Sequence, residues 1–210
     1  VDLGFAKVIS NVIKVDVTGF YTILQNAMVK RDFQLNGESS IIYDGEVSQI
    51  QAVQNAAKAK VYGIQLGLEV NLPAGFSISS DLNYQKGDEE LDDGTTSPLR
   101  HAVPLFGMSS LNYKAEKLNL QFYSSYQAKR NFEDLAFEEQ GKDEIYAKDS
   151  NGNNYSPSWY TLNLKGMYVL TKTFSVNAGV ENITDQRYRL YSSGISAPGR
   201  NYVLSFRADF

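Results

Sequence analysis

The sequence predicts an all-β fold: an antiparallel, up-and-down transmembrane β-barrel segment of about nine strands, with short turns on one side and long loops on the other. Three observations lead to this prediction. Apolar and polar residues alternate along successive segments, the connections between segments are alternately short and long, and large aromatic residues recur at one spacing on the apolar faces. Together they favour a membrane barrel over a soluble sheet.

Composition excludes several classes of function. The chain has 210 residues, a net charge of −4, 42% hydrophobic residues, one His and no Cys. The mild acidity argues against a nucleic-acid partner, and the lack of Cys excludes disulfides and thiolate metal sites. There is no run of about eighteen apolar residues, so no transmembrane helix is predicted, but barrel strands need no such run. No signal peptide opens the chain, so we expect either a processed protein or a piece of a longer one.

The alternating pattern begins with a strand at Asp2–Ile9. A tight turn at Ser10-Asn11 leads into a long strand at about 12–32, in which Phe20 interrupts the polar face. After a loop that extends to about residue 49 comes the clearest strand, because its apolar face carries no charge. That face consists of Tyr62, Ile64, Leu66, Leu68, Val70 and Leu72.

The second half of the chain repeats this pattern. A turn at Pro73-Ala74-Gly75 is followed by six further alternating segments, predicted at 76–85, 105–113, 118–127, 158–170, 174–181 and 202–210. Polar loops are predicted at 86–100 and 131–156. The face opposite the apolar one consists of Ser, Asn, Gln, Thr and Gly with scattered charges, as a hydrated lumen requires.

The connections alternate in length. Short turns are predicted near Asn11, Ala74, Glu116 and Lys172. Long loops are predicted near Ser40, Glu90, Asp143 and Ser193. Short turns on one edge of a sheet and long loops on the other are typical of outer-membrane barrels.

Aromatic residues on the apolar faces lie eight positions apart in three strands. The pairs are Phe76 and Tyr84, Tyr160 and Tyr168, and Tyr202 and Phe210. At roughly 3.3 Å per residue each pair spans about 26 Å along its strand, or about 20 Å vertically at a tilt near 40°. This approaches the roughly 25 Å apolar band that separates the two aromatic girdles of a membrane barrel.

The last thirty or so residues carry the most specific signal. Asn182-Ile183-Thr184-Asp185-Gln186-Arg187-Tyr188 is followed by Pro198-Gly199-Arg200-Asn201-Tyr202 and by a strand that ends on Phe210. This ordered ending resembles the C terminus of TonB-dependent outer-membrane receptors. The resemblance assigns a family motif to Asn182, Asp185, Tyr188, Gly199 and Arg200. It also assigns a signal for the barrel-assembly machinery to Tyr202, Leu204, Phe206 and Phe210, which strand addition would explain.

The resemblance implies a barrel of about twenty-two strands around an N-terminal plug, in the outer membrane of a Gram-negative bacterium. It implies TonB-driven uptake of a scarce ligand, with an iron–siderophore as the first expectation and haem, cobalamin or carbohydrate as others. Residues 1–210 would then be the C-terminal portion, without the plug and the N-terminal strands. The implied partners are outer-membrane lipid, the rest of the receptor, the barrel-assembly machinery, and the TonB complex through the plug.

Candidate site residues are few. Tyr123, Gln127 and Lys165 are predicted to face the lumen, as contacts of the ligand path or the plug, and the loops at 88–96 and 134–154 are predicted to capture ligand. The lone His101 is not expected to bind a metal. The acidic run at 88–93 lacks the spacing of a calcium loop. No cofactor and no catalytic arrangement is predicted, so the sequence does not indicate an enzyme.

Two alternatives stay open at this point. A self-contained outer-membrane barrel of about eight or ten strands would act as an adhesin or anchor. An even strand count with both termini at the short-turn edge would favour it, whereas a start in mid-strand at Asp2 argues against it. A soluble β-sandwich that binds a ligand such as a glycan is the other alternative. A monodisperse protein in detergent-free buffer would favour the sandwich.

Overall fold

A computed structural model describes residues 1–91 and 94–209 of the chain. Its strands, in chain order, are β1 (Asp2–Ile9), β2 (Ile13–Asp32), β3 (Ser40–Tyr43), β4 (Glu46–Gln49), β5 (Gln51–Asn71), β6 (Phe76–Glu90), β7 (Thr96–Pro98), β8 (Phe106–Lys114), β9 (Leu118–Gln127), β10 (Ala147–Lys148), β11 (Asn154–Tyr155), β12 (Trp159–Val169), β13 (Phe174–Glu181) and β14 (Asn201–Ala208). Single turns of 3₁₀ helix lie at Pro73–Gly75, Phe132–Asp134 and Phe137–Glu139. Within the described residues, no helix has the length and apolar character of a membrane span.

Nine long strands form one antiparallel sheet in which neighbours in the chain are neighbours in space. The order is β1-β2-β5-β6-β8-β9-β12-β13-β14, and the short β7 pairs with β6. The predicted fold class, an up-and-down β-barrel segment with about nine strands, is therefore confirmed. The path ends at β1 and β14 without closing, so the described sheet has two open edges.

The strand register places the apolar faces of all nine strands on one side of the sheet. Val17 lies opposite Leu66, which lies opposite Leu82. Further along the sheet, Leu111, Phe122 and Leu164 are aligned in the same way. Because side chains alternate with period two, this register puts one continuous apolar surface on the side that we call the outward face. The other side is the inward face.

In the part of the chain that the structure describes, no second layer covers the outward face. Tyr62, Ile64, Leu66 and Leu68 each keep 38% of their surface exposed, although they form the most apolar part of the sheet. Apart from Ala59, the buried hydrophobic residues in the described part of the chain lie in the loops. A β-sandwich would bury one face of its sheet, so the sandwich alternative is wrong for this chain.

Hydroxyl groups on the outward face bond to one another. Ser80 Oγ lies 2.8 Å from Ser109 Oγ, which lies 3.2 Å from Tyr126 Oη. These three residues come from adjacent strands, and their mutual hydrogen bonds offset the cost of polar groups on an apolar surface.

The connections alternate as predicted. Residues 10–12, 72–75, 115–117 and 170–173 form the short turns at one edge, and 33–50, 91–105, 128–158 and 182–200 form the long connections at the other. In the second short turn, Gly75 adopts a φ of +83° and packs so closely that an added Cβ would lie 2.3 Å from the Lys114 carbonyl oxygen. Only glycine satisfies both conditions at this position.

Two predicted loops contain more strand than the sequence indicated. Most of the loop predicted up to residue 49 is the β3–β4 hairpin, and β5 begins at Gln51, eleven residues before Tyr62, where the predicted apolar face starts. The loop predicted at 86–100 begins inside β6, whose Asp88 forms an ion pair with Lys60 at 3.4 Å. Polar residues in the sequence predict a loop, but a strand that lies outside an apolar layer is stabilised by its backbone hydrogen bonds and by such cross-strand pairs alone. The remainder of the acidic run, Asp92 and Asp93, lies outside the described residues.

The aromatic that interrupts the polar face of β2 has a packing role. Phe20 faces inward and covers Gly63 of β5, where an added Cβ would lie 2.7 Å from Phe20 Cζ. The same Cβ would lie 2.3 Å from the Tyr84 carbonyl oxygen. The ring therefore covers a backbone segment that only glycine leaves accessible.

We expect the substitution Gly63→Val to lower the free energy of unfolding by about 1–3 kcal/mol, because the new side chain overlaps backbone as well as the Phe20 ring. Thermal unfolding of the purified protein in detergent measures this. Gly19→Val is the matched control, since no atom lies within 4 Å of an added Cβ there. Equal melting temperatures for the two variants would contradict the assigned packing.

Candidate functional site

The long connections at 94–105, 128–158 and 182–200 pack together into a unit that we call the loop cap. Its centre is a cluster of Leu135, Tyr146 and Tyr191, against which Val103 and Ile145 pack. These residues come from all three connections, so apolar burial holds the loops against one another.

A buried carboxylate lies beside this cluster. Glu139 has no exposed surface, and its oxygens accept hydrogen bonds from Ser192 Oγ at 2.6 Å and Tyr146 Oη at 2.8 Å. Tyr191 Oη donates at 3.4 Å and Arg100 Nε at 3.3 Å. The four donors belong to three different connections, so one side chain links the whole loop cap.

The electrostatics of Glu139 favour its ionised form. Burial on its own would raise the pKa of this carboxyl group, but the hydrogen bonds from Ser192 and Tyr146 and the charge of Arg100 hold it below its ordinary value. Burial and the adjacent Glu139 raise the pKa of the Tyr146 phenol well above its usual range. At neutral pH the pair is therefore a carboxylate that accepts a hydrogen bond from a neutral phenol.

Gln127 lies beneath the loop cap rather than open to the lumen. It is 4% exposed, and its Oε1 accepts a hydrogen bond from the Tyr191 amide at 3.3 Å. Nearby, the Arg130 guanidinium donates to the Ala102 carbonyl oxygen and lies 5.4 Å from the centre of the Tyr191 ring. These contacts join the end of β9 to the loops above it.

The residues of the terminal motif build the connection between β13 and β14. Asn182 is buried with a φ of +49°, and its side chain donates to the carbonyl oxygens of Gln186 at 2.8 Å and Pro198 at 3.2 Å. Its Oδ1 accepts from the Gln186 amide at 2.9 Å, and its own amide donates to Asn163 Oδ1 at 2.8 Å. An asparagine suits this position because it tolerates a positive φ and bonds to nearby backbone.

The second half of the motif closes the same loop. Asp185 Oδ1 accepts from the Arg200 amide at 2.8 Å, and Arg200 Nε donates to the Ile183 carbonyl oxygen at 2.9 Å. An added Cβ on Gly199 would lie 2.6 Å from Asp185 Oδ1, which is why glycine precedes the arginine. The motif thus sets the shape of the loop.

Tyr188, the remaining residue of the motif, lines a cleft. Its ring lies 4.4 Å from the Trp159 ring, with a tilt of 34° between the planes. Trp159 faces inward, because it shares a face with Thr161 and Asn163. The cleft has a volume of about 780 Å³, and its lining includes Tyr146, Trp159, Arg187, Tyr188 and Arg189.

The other predicted contacts of the ligand path lie on the inward face. Lys165 Nζ lies 5.1 Å from the centre of the Tyr123 ring, so these two residues are neighbours, whereas Gln127 is covered by the loop cap. The predicted assembly residues Tyr202, Leu204 and Phe206 project from the outward side of the edge strand β14, and each is more than half exposed. The fourth, Phe210, lies outside the described residues.

Two important residues were missed in the sequence. Trp159 is the only tryptophan of the chain, and that rarity was a usable signal. No sequence pattern marks Glu139, because its hydrogen-bond partners are far apart in the chain and meet only in the folded protein. They are Arg100, Tyr146, Tyr191 and Ser192. His101 is exposed in a loop, and the described residues contain no cluster of three potential acidic, His or Cys metal ligands.

A family model described as "TonB dependent receptor-like, beta-barrel" matches residues 3–183. The chain belongs to the TonB-dependent receptor family. Members of this family are receptors and transporters of the Gram-negative outer membrane. The matched region contains the sheet except for β14, together with most of the loop cap, and it ends just inside the terminal motif.

Curated relatives of this receptor segment come from Haemophilus influenzae. Hemoglobin-binding protein A is 30% identical over 191 residues, covering 74% of this chain and 18% of that protein. Hemoglobin-haptoglobin-binding protein A is 28% identical over 189 residues, covering 74% of this chain and 17% of that protein. The chain thus spans about a fifth of the length of these relatives.

Solved structures share the fold of this receptor segment. The copper transporter OprC superposes with a TM-score of 0.74 at 17% identity, over 100% of this chain and 30% of that one. The siderophore receptor PirA from Acinetobacter baumannii superposes with a TM-score of 0.71 at 18% sequence identity, over 100% of this chain and 31% of that one. At such identities the likeness supports the fold alone.

We expect Glu139→Gln to lower the free energy of opening of the loop cap by about 2 kcal/mol, since it removes a buried charged acceptor from several donors. Native-state hydrogen exchange of the amides around 135–146 and 190–193 measures this. Because folding lowers the pKa of Glu139, the difference from the wild type is present at neutral pH and shrinks as the pH falls below the ordinary carboxyl pKa of about 4.3.

Glu138→Gln is the matched control for this prediction. Glu138 adjoins Glu139 and contacts the same Arg100 at 3.1 Å, but its side chain is 58% exposed. We expect a change below about 0.5 kcal/mol. Equal effects of the two substitutions, or an effect of Glu139→Gln that does not depend on pH, would contradict the linking role of Glu139.

Proposed function

We propose that this chain is the C-terminal part of the barrel of an outer-membrane receptor for TonB-driven uptake of an iron-bearing ligand, and that the ligand is haem taken from haemoglobin. The family membership and the uncovered apolar outward face support the receptor and its membrane setting. The curated relatives with haemoglobin-binding names favour haem over other cargo. The proposed activity is transport rather than catalysis.

The observation that carries the proposal is the cleft between Trp159 and the β13–β14 connection. The Trp159 and Tyr188 rings, which are tilted by 34° to each other, offer apolar aromatic surface against which a planar macrocycle can pack. Arg187 and Arg189 line the same cleft and supply cations for the carboxylates at the edge of haem. Its volume of about 780 Å³ falls in the range of small-molecule sites.

The inward face would contact the plug and the passing ligand. Lys14 lies 3.2 Å from Asp16 and 3.7 Å from Glu69, so β2 and β5 carry a charged, water-facing group of side chains. Tyr123 and Lys165 extend this polar surface toward the cleft. Under the proposal, outer-membrane lipid covers the outward face, the plug fills the lumen and connects the receptor to TonB, and β14 is the strand offered to the barrel-assembly machinery.

An iron–siderophore, which the sequence first suggested, stays a prediction and is the competing cargo. Several solved structures with this fold are siderophore receptors, but they are too distant to indicate the ligand. Anionic siderophores would also be attracted by Arg187 and Arg189, so the two cargoes must be separated by experiment.

Growth of a Gram-negative host that cannot make haem tests the proposal. We expect the full-length receptor to support growth on haemoglobin only when the host has TonB. No growth on haemoglobin, together with TonB-dependent uptake of radioactive iron from a ferric siderophore, would reject haem as the cargo, and growth on haemoglobin without TonB would reject the transport mechanism.

In the purified receptor, we expect Tyr188→Ala to weaken haem binding by about tenfold, because an aromatic contact surface is lost. Tyr188→Phe keeps the ring and should bind haem like the wild type, as measured by absorbance titration of the purified receptor. Equal binding by both variants would place the haem site elsewhere.

A further inference from the structure

The connection between β2 and β5 differs from the loop cap because none of its described apolar residues is buried. We call residues 33–50 the hairpin arm. At its tip Ile42, Tyr43 and Val47 are 73%, 74% and 77% exposed. Ile42 and Val47 are cross-strand partners and share one face of the β3–β4 hairpin. An exposed apolar patch of this kind indicates an interaction surface.

The height of the hairpin arm excludes lipid as its partner. Tyr21 and Tyr62 form a cross-strand pair on the outward face, with ring centroids 6.3 Å apart, near the long-loop end of the apolar surface. From Tyr21, β2 continues to Asp32. At roughly 3.3 Å per residue this adds about 36 Å along the strand, or about 28 Å vertically at a tilt near 40°. The tip therefore lies well outside the membrane interface.

A small ligand in the cleft is also excluded as the partner. The cleft is lined by residues of 143–159 and 186–196, and none of its lining residues belongs to the hairpin arm. A partner that reaches the arm while its cargo enters the cleft must be a macromolecule.

The charge of the hairpin arm indicates the surface chemistry of its partner. The hairpin arm contains Glu38, Asp44 and Glu46 and no Lys, Arg or His. Two of these carboxylates flank the tip on either side of Gly45, so an apolar centre is bordered by negative charge. A complementary surface has an apolar patch with a basic rim, since opposite charges at a rim steer association.

We propose that the hairpin arm docks the folded protein that carries the cargo, through the apolar pair Ile42 and Val47, against a basic-rimmed apolar patch of the carrier. This inference rests on the proposed function, because it assumes a cargo delivered by a protein. It assigns carrier capture to the arm and cargo binding to the cleft, as two separate steps at two separate places.

The test uses the full-length receptor with haemoglobin and free haem as two separate probes. Ile42→Ser combined with Val47→Ser should weaken haemoglobin binding by at least tenfold in surface plasmon resonance and leave haem binding unchanged. Ile195→Ser is the matched control, since Ile195 is 81% exposed in the β13–β14 connection and does not line the cleft. Glu38→Lys combined with Glu46→Lys should slow haemoglobin association, most strongly at low salt.

Haemoglobin binding that survives both double substitutions would overturn the docking role while leaving the proposed function intact. An equal loss of haem and haemoglobin binding would overturn it as well, because the arm would then act on the cargo site. A wild-type receptor that binds haem but not haemoglobin would reject a protein carrier, and one that binds neither would reject the proposed function itself.

Discussion

The backbone hydrogen-bond ladder that joins the nine long strands is the constraint on which the rest of the structure depends. Each strand pairs with its neighbour in antiparallel register, so each register fixes which side chains share a face. A shift of one residue between β5 and β6 would turn Leu82 inward and Asp81 outward. In hydrocarbon, the ladder also satisfies backbone groups that have no water to bond with. The apolar outward surface, the polar inward surface and the positions of the loops all follow from this pairing.

The two kinds of long connection show how loops on one sheet edge can serve different purposes. The loop cap has its own apolar centre and a buried carboxylate that links three connections, so it holds the cleft beside Trp159 in a fixed shape. The hairpin arm has no comparable buried centre among its described residues and instead keeps its apolar side chains in solvent. A rigid cleft suits a small planar ligand, because preorganised contacts cost little conformational entropy on binding. An extended arm suits a large partner.

Much of the fold could be predicted from the sequence because period-two alternation is a local signal. The strands Asp2–Ile9, Leu118–Gln127 and Phe174–Glu181 have the predicted bounds, and the turn at Ser10-Asn11 lies where predicted. The extensions of β5 and β6 could not be predicted, since their polar residues resemble loop sequence. The role of Glu139 could not be predicted from the sequence either, because it depends on residues from three connections. The motif residues Asn182 and Asp185 were found by resemblance, and only the structure showed that they shape a loop.

Spin labels on β5 test the central claim, an apolar outward face against lipid, most directly. The chain has no cysteine, so single cysteines at Gln65, Leu66, Leu68 and Glu69 can be labelled in turn within the full-length receptor reconstituted in lipid. We expect oxygen to relax the labels at Leu66 and Leu68 more strongly than those at Gln65 and Glu69, with the opposite order for a water-soluble nickel reagent. Equal access of the nickel reagent to all four positions would contradict a lipid-facing sheet.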